Sequence, residues 1–295
     1  MRAVCSPLTT VDRIYLLAPA LVLLAIFSLG FVVYCARCAV GRAPELQSVK
    51  HNQLIGPFLS GFLVWLLGPF ERVLVGRVSP NAITALSLAM CAASGLALGL
   101  GHLAVGIWLY VFAGILDVLD GRIARLSNHQ TASGALFDSV SDRWGELFVF
   151  AGFGWYLHHT HWLLAVMLAI GASMMVSYTR ARAEGLGIEL SGGMMQRAER
   201  IVLVTVGTLV AAWYGAEPET ASIAVPIIGG TMVVLGVASA ATAINRWVVA
   251  YRTLVARPQN VAVEPQELAQ PAVELPAATP QYPRVRKVVT LHPHH

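Results

Sequence analysis

Charged side chains are scarce in this chain. Only 12% of its 295 residues are charged, and 56% are apolar. A soluble domain carries about 25% charged residues, so this chain has too few to cover a water-soluble globule of its size. The composition excludes a typical cytosolic enzyme and a disordered protein, and it predicts long apolar segments within a membrane.

Cysteine and lysine are also rare. The four cysteines are too few and too scattered for a disulfide scaffold, and the single Cys35-Ala-Arg-Cys38 motif lacks the second ligand pair of a zinc site. Two lysines stand against eighteen arginines, and the formal net charge is +4. Because arginine binds phosphate with two parallel hydrogen bonds, this excess predicts contacts with phosphate groups and lipid and does not indicate nucleic acid.

Seven apolar segments are candidates for membrane-spanning helices. They are residues 14–34, 81–100, 103–119, 135–157, 162–178, 201–214 and 222–244. A further apolar stretch, residues 53–78, has its charges at one end, so we predict a helix that lies along the membrane surface. The chain thus divides into an extra N-terminal transmembrane anchor with a basic linker (1–50), a membrane domain (51–254) and a disordered, proline-rich cytoplasmic tail (255–295).

Arginine is distributed unevenly between the two ends of these segments. The turns near residue 101, at 158–161 and at 215–221 contain neither arginine nor lysine, whereas the alternate connections are rich in arginine. Positively charged loops remain on the cytoplasmic side of a membrane. We therefore predict a multi-pass protein of the inner cell membrane, with its arginine-rich side in the cytoplasm.

Four of the five aspartates lie within twenty-six residues: Asp117, Asp120, Asp138 and Asp142. Their spacings of three and four put each pair on one face of a helix, and the segment between the pairs is long enough to reverse direction. Carboxylates that converge near a low-dielectric boundary need counter-charge, and oxygen-only clusters select hard cations such as Mg²⁺ or Mn²⁺. The alternative is that these acids pair with neighbouring arginines, namely Arg122, Arg125 and Arg143.

Small residues follow the first pair of acids. Gly121 and Ala124 leave a strip without side-chain bulk where a ligand can approach the backbone. Arg125 is placed to bind a phosphate, and Gly134 lets the next helix pack closely. Metal ions, an arginine and a bare helix surface together predict a site for a diphosphate that carries a nucleoside.

The complete pattern is Asp117-Val-Leu-Asp120-Gly121-Arg-Ile-Ala124-Arg125, eight residues, Gly134, three residues, Asp138, three residues and Asp142. It resembles the signature of the CDP-alcohol phosphatidyltransferase family (class I), and the resemblance covers roughly residues 53–244. It implies an all-α integral membrane enzyme, a six-helix transmembrane bundle with an N-terminal interfacial helix, to which this chain adds one N-terminal span. Such an enzyme joins a CDP-linked lipid to an alcohol and releases CMP.

The resemblance also implies roles for individual residues. Asp117, Asp120 and Asp138 would ligate two divalent ions, Mg²⁺ or Mn²⁺. Asp142 would complete the second metal site and act as the general base on the acceptor hydroxyl. The residues that would bind the CDP-lipid are Asn81, Thr84, Gly121, Ala124, Arg125, Thr131 and Gly134. For Asn81 and Thr131 the alternatives are a helix N-cap and ordinary loop chemistry.

A second arginine cluster bears on the acceptor. Ser177-Tyr-Thr-Arg180-Ala-Arg182-Ala-Glu184 ends one span, and Arg197-Ala-Glu199-Arg200 begins the next. On charge alone, two interpretations are open. The cluster could bind a phosphorylated alcohol, or it could be the excess of arginine that commonly flanks membrane spans on the cytoplasmic side. Both stretches are similar to those of the phosphatidylinositol phosphate synthase branch, which implies that the acceptor phosphate, in inositol 1-phosphate, is bound by Ser177, Arg180, Arg197 and Arg200. This chain has Arg180 and Ala198 where that branch commonly has lysine and proline, which leaves the acceptor open. Glycerol 3-phosphate is the alternative acceptor, because it too is a phosphorylated alcohol.

A membrane transporter is the alternative from another functional class. It predicts acids near the middle of the membrane, whereas all four aspartates lie near one edge. The partners that we expect are CDP-diacylglycerol, a small phosphorylated alcohol, membrane lipid and a second copy of the chain in a homodimer.

Overall fold

The computed structural model describes residues 10–40, 56–127, 130–188, 190, 193, 195–216 and 219–256. Within them every regular element is an α-helix, as predicted, and the helices are α1 (Thr10–Ala39), α2 (Gly56–Leu74), α3 (Pro80–Gly99), α4 (Leu103–Leu126), α5 (Ala132–Tyr156), α6 (Leu163–Glu184), α7 (Arg197–Gly215) and α8 (Ala221–Ala256). Residues 1–252 group into one compact unit; of the second unit only residues 253–256 are described. The predicted basic linker after α1 and all but the first two residues of the predicted tail lie outside the described residues.

Helices α4, α6 and α8 extend furthest beyond the predicted spans on the arginine-rich side. Helix α4 continues to Leu126, α6 to Glu184 and α8 to Ala256. The predictions ended where the apolar residues end, but arginine, alanine and glutamate favour the helix also in water. As a result, the first two aspartates and Arg125 lie on one continuous helix.

Six helices of the described residues are long and apolar enough to cross a membrane. They are Leu21–Ala39 of α1 together with α3, α4, α6, α7 and α8. Helix α5 is not among them, because acids and an arginine lie in its first half: Asp138, Asp142, Arg143 and Glu146. With 25 residues, α5 is about 37 Å long, enough to cross a bilayer, and its crossing stays a prediction.

Helices α3 and α5 approach each other closely at two glycines. A Cβ atom on Gly95 would lie 2.1 Å from a backbone oxygen of α5, and one on Gly152 would lie 2.2 Å from the backbone oxygen of Gly95. Only glycine fits at such a crossing. Helix α4 is joined to α3 by two buried hydroxyls, since Ser87 donates to Ala113 O at 2.9 Å and Ser94 to Gly106 O at 2.6 Å. These contacts fix α3, α4 and α5 as one unit.

Helices α1 and α2 contact each other through aromatic side chains. Phe62 of α2 is fully buried and lies edge-on to Phe27 and Phe31 of α1, with ring centroids 4.9 and 5.3 Å apart. Tyr34 of α1 adds a contact with Trp65 at 5.7 Å. The other side of α2 packs against α3 and α4 in a small apolar cluster, so α2 lies between α1 and the three helices that carry the predicted nucleotide site.

Candidate active site

Three of the four predicted acids come together at the facing ends of α4 and α5. Asp117, Asp120 and Asp138 each offer a carboxylate oxygen, and these oxygens all lie within 4.8 Å of one another. Helix α4 ends at Leu126, and Thr131 caps the start of α5 by accepting a hydrogen bond from Gly134 N at 3.0 Å. The short reversal between the helices brings the two acidic faces together, and three carboxylates at this separation fit a hard divalent cation.

The fourth acid, Asp142, is linked to this group by an arginine. Arg197, the first residue of α7, donates from Nη1 to Asp117 Oδ1 at 2.7 Å and also contacts Asp142 Oδ1. Arg143 lies 3.4 Å from the other carboxylate oxygen of Asp142. The guanidinium of Arg197 therefore offsets the charges of two acids on two helices.

Asp120 is held by a hydroxyl from α3. Thr84 Oγ1 lies 2.5 Å from Asp120 Oδ2, and both side chains are buried. This bond fixes the orientation of one predicted metal ligand, which is how groups behind a metal site commonly act. The prediction assigned Thr84 to the nucleotide; in the structure its hydroxyl also touches a carboxylate of the metal cluster.

A cavity of about 220 Å³ lies beside the acids, between α3, α4 and α5. It is lined by all seven residues predicted to bind the CDP-lipid, namely Asn81, Thr84, Gly121, Ala124, Arg125, Thr131 and Gly134. Asp120 and Asp138 also line it. The structure thus gathers the predicted nucleotide residues, which span more than fifty positions of sequence, around one space.

The side chains around this cavity are arranged for a ligand. Ser79, and not Asn81, caps α3, since it accepts from Ala82 N at 3.3 Å. The side chain of Asn81 is thereby left to the cavity, and a Cβ on Gly134 would lie 3.4 Å from its Oδ1. Arg125 Nε is buried and has no hydrogen-bond partner among the described residues. A buried guanidinium nitrogen without a partner is costly, and a phosphate would satisfy it.

A second cavity, of about 240 Å³, lies at the start of α7 between α5, α6 and α8. It is lined by all four residues predicted to bind the acceptor phosphate, namely Ser177, Arg180, Arg197 and Arg200. Asp142 lines this cavity too, together with Glu199 and Arg246. The acids therefore border both cavities: Asp120 and Asp138 face the first, and Asp142 faces the second.

The arginines of the second cavity differ in how far they are engaged. Arg200 is buried, donates from Nε to Glu146 Oε1 at 3.0 Å and binds Met195 O through Nη1 at 3.2 Å. Arg180 is exposed and donates to Glu184 at 2.8 Å. Arg200 thus joins α7 to α5, and Arg197 is engaged by Asp117 and Asp142. Of the three arginines, Arg180 is the exposed one.

Sequence reasoning missed two features of this cavity. Arg246 of α8 is buried and donates to Val176 O at 2.9 Å; no spacing signal links a residue on α8 to one on α6. The pairing of Glu146 with Arg200 had a signal, because Glu146 follows Asp142 by one turn on the same helix face.

The alternative in which the acids pair with the nearest arginines holds for one arginine only. Arg143 contacts Asp142. Arg122 instead forms a buried ion pair with Glu71 of α2. None of the ion pairs among the described residues joins Arg125 to an aspartate. Local pairing therefore does not account for the cluster.

Comparison with known proteins places the chain in a family. The family model described as CDP-alcohol phosphatidyltransferase matches residues 77–244. Archaetidylinositol phosphate synthase from Methanothermobacter thermautotrophicus is 41% identical over 124 residues, which are 41% of this chain and 61% of that protein. Phosphatidylinositol phosphate synthase from Mycobacteroides abscessus is 31% identical over 147 residues, 47% of this chain and 66% of that protein. The chain thus spans less than two thirds of the length of these curated relatives.

Solved structures agree with these matches. Phosphatidylinositol phosphate synthase from Mycobacterium tuberculosis with CDP-DAG bound has a TM-score of 0.54 at 28% identity, over 62% of this chain and 92% of that one. The same protein in complex with manganese and citrate has a TM-score of 0.55 at 28% identity, over 62% of this chain and 88% of that one. Because the family model covers more than half of its residues, the chain belongs to the CDP-alcohol phosphatidyltransferase family.

Proposed function

We propose that this protein transfers the phosphatidyl group of CDP-diacylglycerol to inositol 1-phosphate and releases CMP. One observation carries the proposal: the aspartates border two cavities, one lined by every residue predicted to bind the nucleotide and the other by every residue predicted to bind the acceptor phosphate. Two substrates held in these cavities would meet at the same acids.

The first cavity would bind the CDP group. Gly121 and Ala124 allow the nucleotide to approach the backbone of α4, and Arg125 would bind a phosphate through its buried Nε. Asn81 and Thr131 offer side-chain oxygens on the facing helix ends. A solved relative has CDP-DAG bound, which supports the same lipid donor here.

The acids would hold two divalent cations, Mg²⁺ or Mn²⁺. Asp117, Asp120 and Asp138 would be the first ligands, and Asp142 would complete the second site. Their oxygen-only donor set suits such cations, and the solved complex with manganese supports metal use. When bound, the ions would neutralise the charge that builds on the diphosphate as CMP departs.

The second cavity would bind the phosphorylated alcohol. Arg180, Arg197 and Ser177 would bind its phosphate, and Arg200 would support them through its bonds to Glu146 and Met195. A hydroxyl donor of the acceptor would satisfy the cavity's buried carboxylate oxygen, Oε2 of Glu199, which has no hydrogen-bond partner among the described residues. Inositol 1-phosphate and glycerol 3-phosphate both meet these requirements, and the names of the inositol phosphate relatives favour inositol 1-phosphate.

Asp142 would act as the general base. As the acceptor oxygen forms its bond to the phosphorus next to the diacylglycerol, its proton would pass to the carboxylate of Asp142, and the bond between that phosphorus and the CMP oxygen would break. Asp142 lines the acceptor cavity, and its contact with Arg197 holds the carboxylate in one orientation.

We further propose that the protein is a homodimer in the inner cell membrane with both cavities facing the cytoplasm. The cavities lie at the arginine-rich ends of α4, α6 and α7, and arginine-rich ends remain cytoplasmic. At this boundary the diacyl tails stay in lipid, while the soluble acceptor and CMP exchange with water.

Purified protein in lipid nanodiscs with CDP-diacylglycerol and Mg²⁺ or Mn²⁺ tests the proposal. Inositol 1-phosphate, glycerol 3-phosphate, inositol and serine are offered separately, and CMP release and the mass of the lipid product are measured. We expect phosphatidylinositol phosphate with inositol 1-phosphate, formed about 10²-fold or more slowly by the matched Asp142→Asn protein. If glycerol 3-phosphate alone is turned over, it is the acceptor in place of inositol 1-phosphate. If no acceptor leads to CMP release, the proposed reaction is refuted.

A further inference from the structure

A buried ion pair joins α2 to α4. Arg122 Nη2 donates to Glu71 Oε2 at 3.1 Å, Arg122 Nε contacts Glu71 Oε1, and the two side chains are only 7% and 8% exposed. Two charges removed from water are costly unless their geometry is good, and this pair has the two-point geometry that arginine and carboxylate favour. Neither residue belongs to the proposed nucleotide, metal or acceptor sets.

The pair lies behind the face of α4 that carries the acids. At about 100° per residue, Asp117, Asp120 and Ala124 fall within about 60° of one another around α4, whereas Arg122 lies at least about 140° from each of them. The acidic side of α4 and the side anchored to α2 are thus nearly opposite, and Gly121 and Arg125, which also line the cavity, lie between them at about 100° and 60° from Arg122. A contact at this position controls how α4 is rotated about its own axis.

Helix α2 has the contacts needed to act as a support. Leu67 and Leu74 of α2 pack with Leu119 and Ile123 of α4 beside the ion pair. On its other side, α2 is held by the aromatic contacts of Phe62 with α1. Because Glu71 precedes the matched family region, residues 77–244, and Arg122 lies inside it, the pair connects the N-terminal helices of this chain to the proposed nucleotide helix.

We infer that Glu71 and Arg122 are positioning residues, which set the rotation of α4 so that Gly121 and Arg125 face the CDP group. Arg125 Nε has no hydrogen-bond partner among the described residues, so no described hydrogen bond of this nitrogen holds the guanidinium in place when α4 rotates. A rotation of about 20° would move a guanidinium about 7 Å from the helix axis by roughly 2 Å, which is enough to lose a phosphate contact. The inference rests on the proposed function in that the ligand is a CDP group.

The test compares variants of the full chain by three measurements: the Kd for CDP by calorimetry, the KM for each substrate, and the melting temperature. Glu71→Gln and Arg122→Met are each expected to raise the Kd for CDP and the KM for CDP-diacylglycerol about tenfold or more, with the acceptor KM and the kcat within about threefold. The swapped double variant, Glu71→Arg with Arg122→Glu, is expected to recover most of the CDP affinity. The matched control is Arg72→Met, because Arg72 is the next residue of α2, is exposed and binds only Gly68 O at 3.3 Å among its described contacts.

Several results would overturn the inference. They are an unchanged Kd for CDP in folded single variants, an equal rise in the KM of both substrates, and a swapped variant that folds but binds CDP as weakly as the single variants. If the single variants do not fold, the inference is tested with Arg122→Lys and with the swapped variant. Arg122→Lys keeps the positive charge but loses the two-point geometry. A folded Arg122→Lys protein with unchanged CDP affinity therefore contradicts the inference. Because CDP binding is measured without turnover, wild-type protein that fails to bind CDP would instead refute the proposed function.

Discussion

The hydroxyl of Thr84 provides a sharp test of the proposed metal site. It lies 2.5 Å from Asp120 Oδ2 and 3.2 Å from Pro80 O. A hydroxyl has one proton to donate, and a carboxylate is a stronger acceptor than a backbone carbonyl. Thr84→Val therefore removes one charge-assisted hydrogen bond from Asp120 while it keeps the shape of the buried side chain.

The expected loss follows from the strength of that bond. A hydrogen bond to a charged group contributes about 1.5–3 kcal/mol, and each 1.4 kcal/mol corresponds to about tenfold in affinity. The bond holds Asp120 in the orientation that brings one of its oxygens within 4.8 Å of those of Asp117 and Asp138. Loss of a group behind a metal ligand typically weakens metal binding about 10- to 100-fold, and we expect a change of this size.

Titration of the purified protein with Mn²⁺, followed by the electron paramagnetic resonance of the free ion, measures this change directly. Ser87→Ala is the matched control, because Ser87 also joins α3 to α4 through a buried hydroxyl, donating to Ala113 O at 2.9 Å, and has no hydrogen bond to an acid among the described contacts. We expect Ser87→Ala to bind Mn²⁺ like the wild type. Unchanged Mn²⁺ affinity in Thr84→Val, or an equal loss in Ser87→Ala, would refute the role of Thr84 in a metal site.

Three further variants separate the proposed roles. Asp142→Asn is expected to lower CMP release by about 10²-fold or more without a change in melting temperature; a folded variant with full CMP release would rule out Asp142 as the base. Arg197→Ala is expected to raise the KM for inositol 1-phosphate about tenfold or more while the KM for CDP-diacylglycerol changes little, and an unchanged acceptor KM would remove Arg197 from the pocket. Gly121→Ala adds a Cβ that meets nothing closer than Arg125 Nη1 at 3.5 Å, so calorimetry is expected to find CDP binding lost at unchanged stability. Normal CDP binding by that variant would place the nucleotide elsewhere.

The sequence was sufficient to predict the helices and to name residues that line one cavity, which we propose bind the nucleotide. Helical spacing puts Asp117 and Asp120 on one face of α4, and the short connection to α5 leaves few ways for Asp138 to lie elsewhere. Helices α4, α6 and α8 continue beyond the predicted membrane spans, because hydropathy indicates which residues suit the membrane and does not locate the end of a helix. Capping and propensity determine where a helix ends.

The partners of the arginines could not be predicted from the sequence. Arg122 lies between Gly121 and Ile123 in the signature, yet its side chain turns away from the acids to Glu71, some fifty positions earlier. Arg200 was predicted to bind the acceptor and is engaged by Glu146. Long side chains at the ends of helices reach several ångströms in any direction, so the positions of neighbouring helices decide the pairing, and spacing within one helix says nothing about them.

These pairings bear on why the acids would need metal ions. Arg122 and Arg200, two of the buried arginines nearest the site, are each committed to a glutamate. The arginines that the described ion pairs bring to the aspartates are Arg197, shared between two of them, and Arg143 at 3.4 Å from one. Two positive charges then face four carboxylates at the edge of a low-dielectric region, where excess negative charge is costly. Divalent cations would remove that excess, and the diphosphate of the donor would arrive at ions instead of at bare carboxylates. The pairing of Arg122 with Glu71 of α2 and of Arg200 with Glu146 of α5 thus keeps the aspartates available for metal.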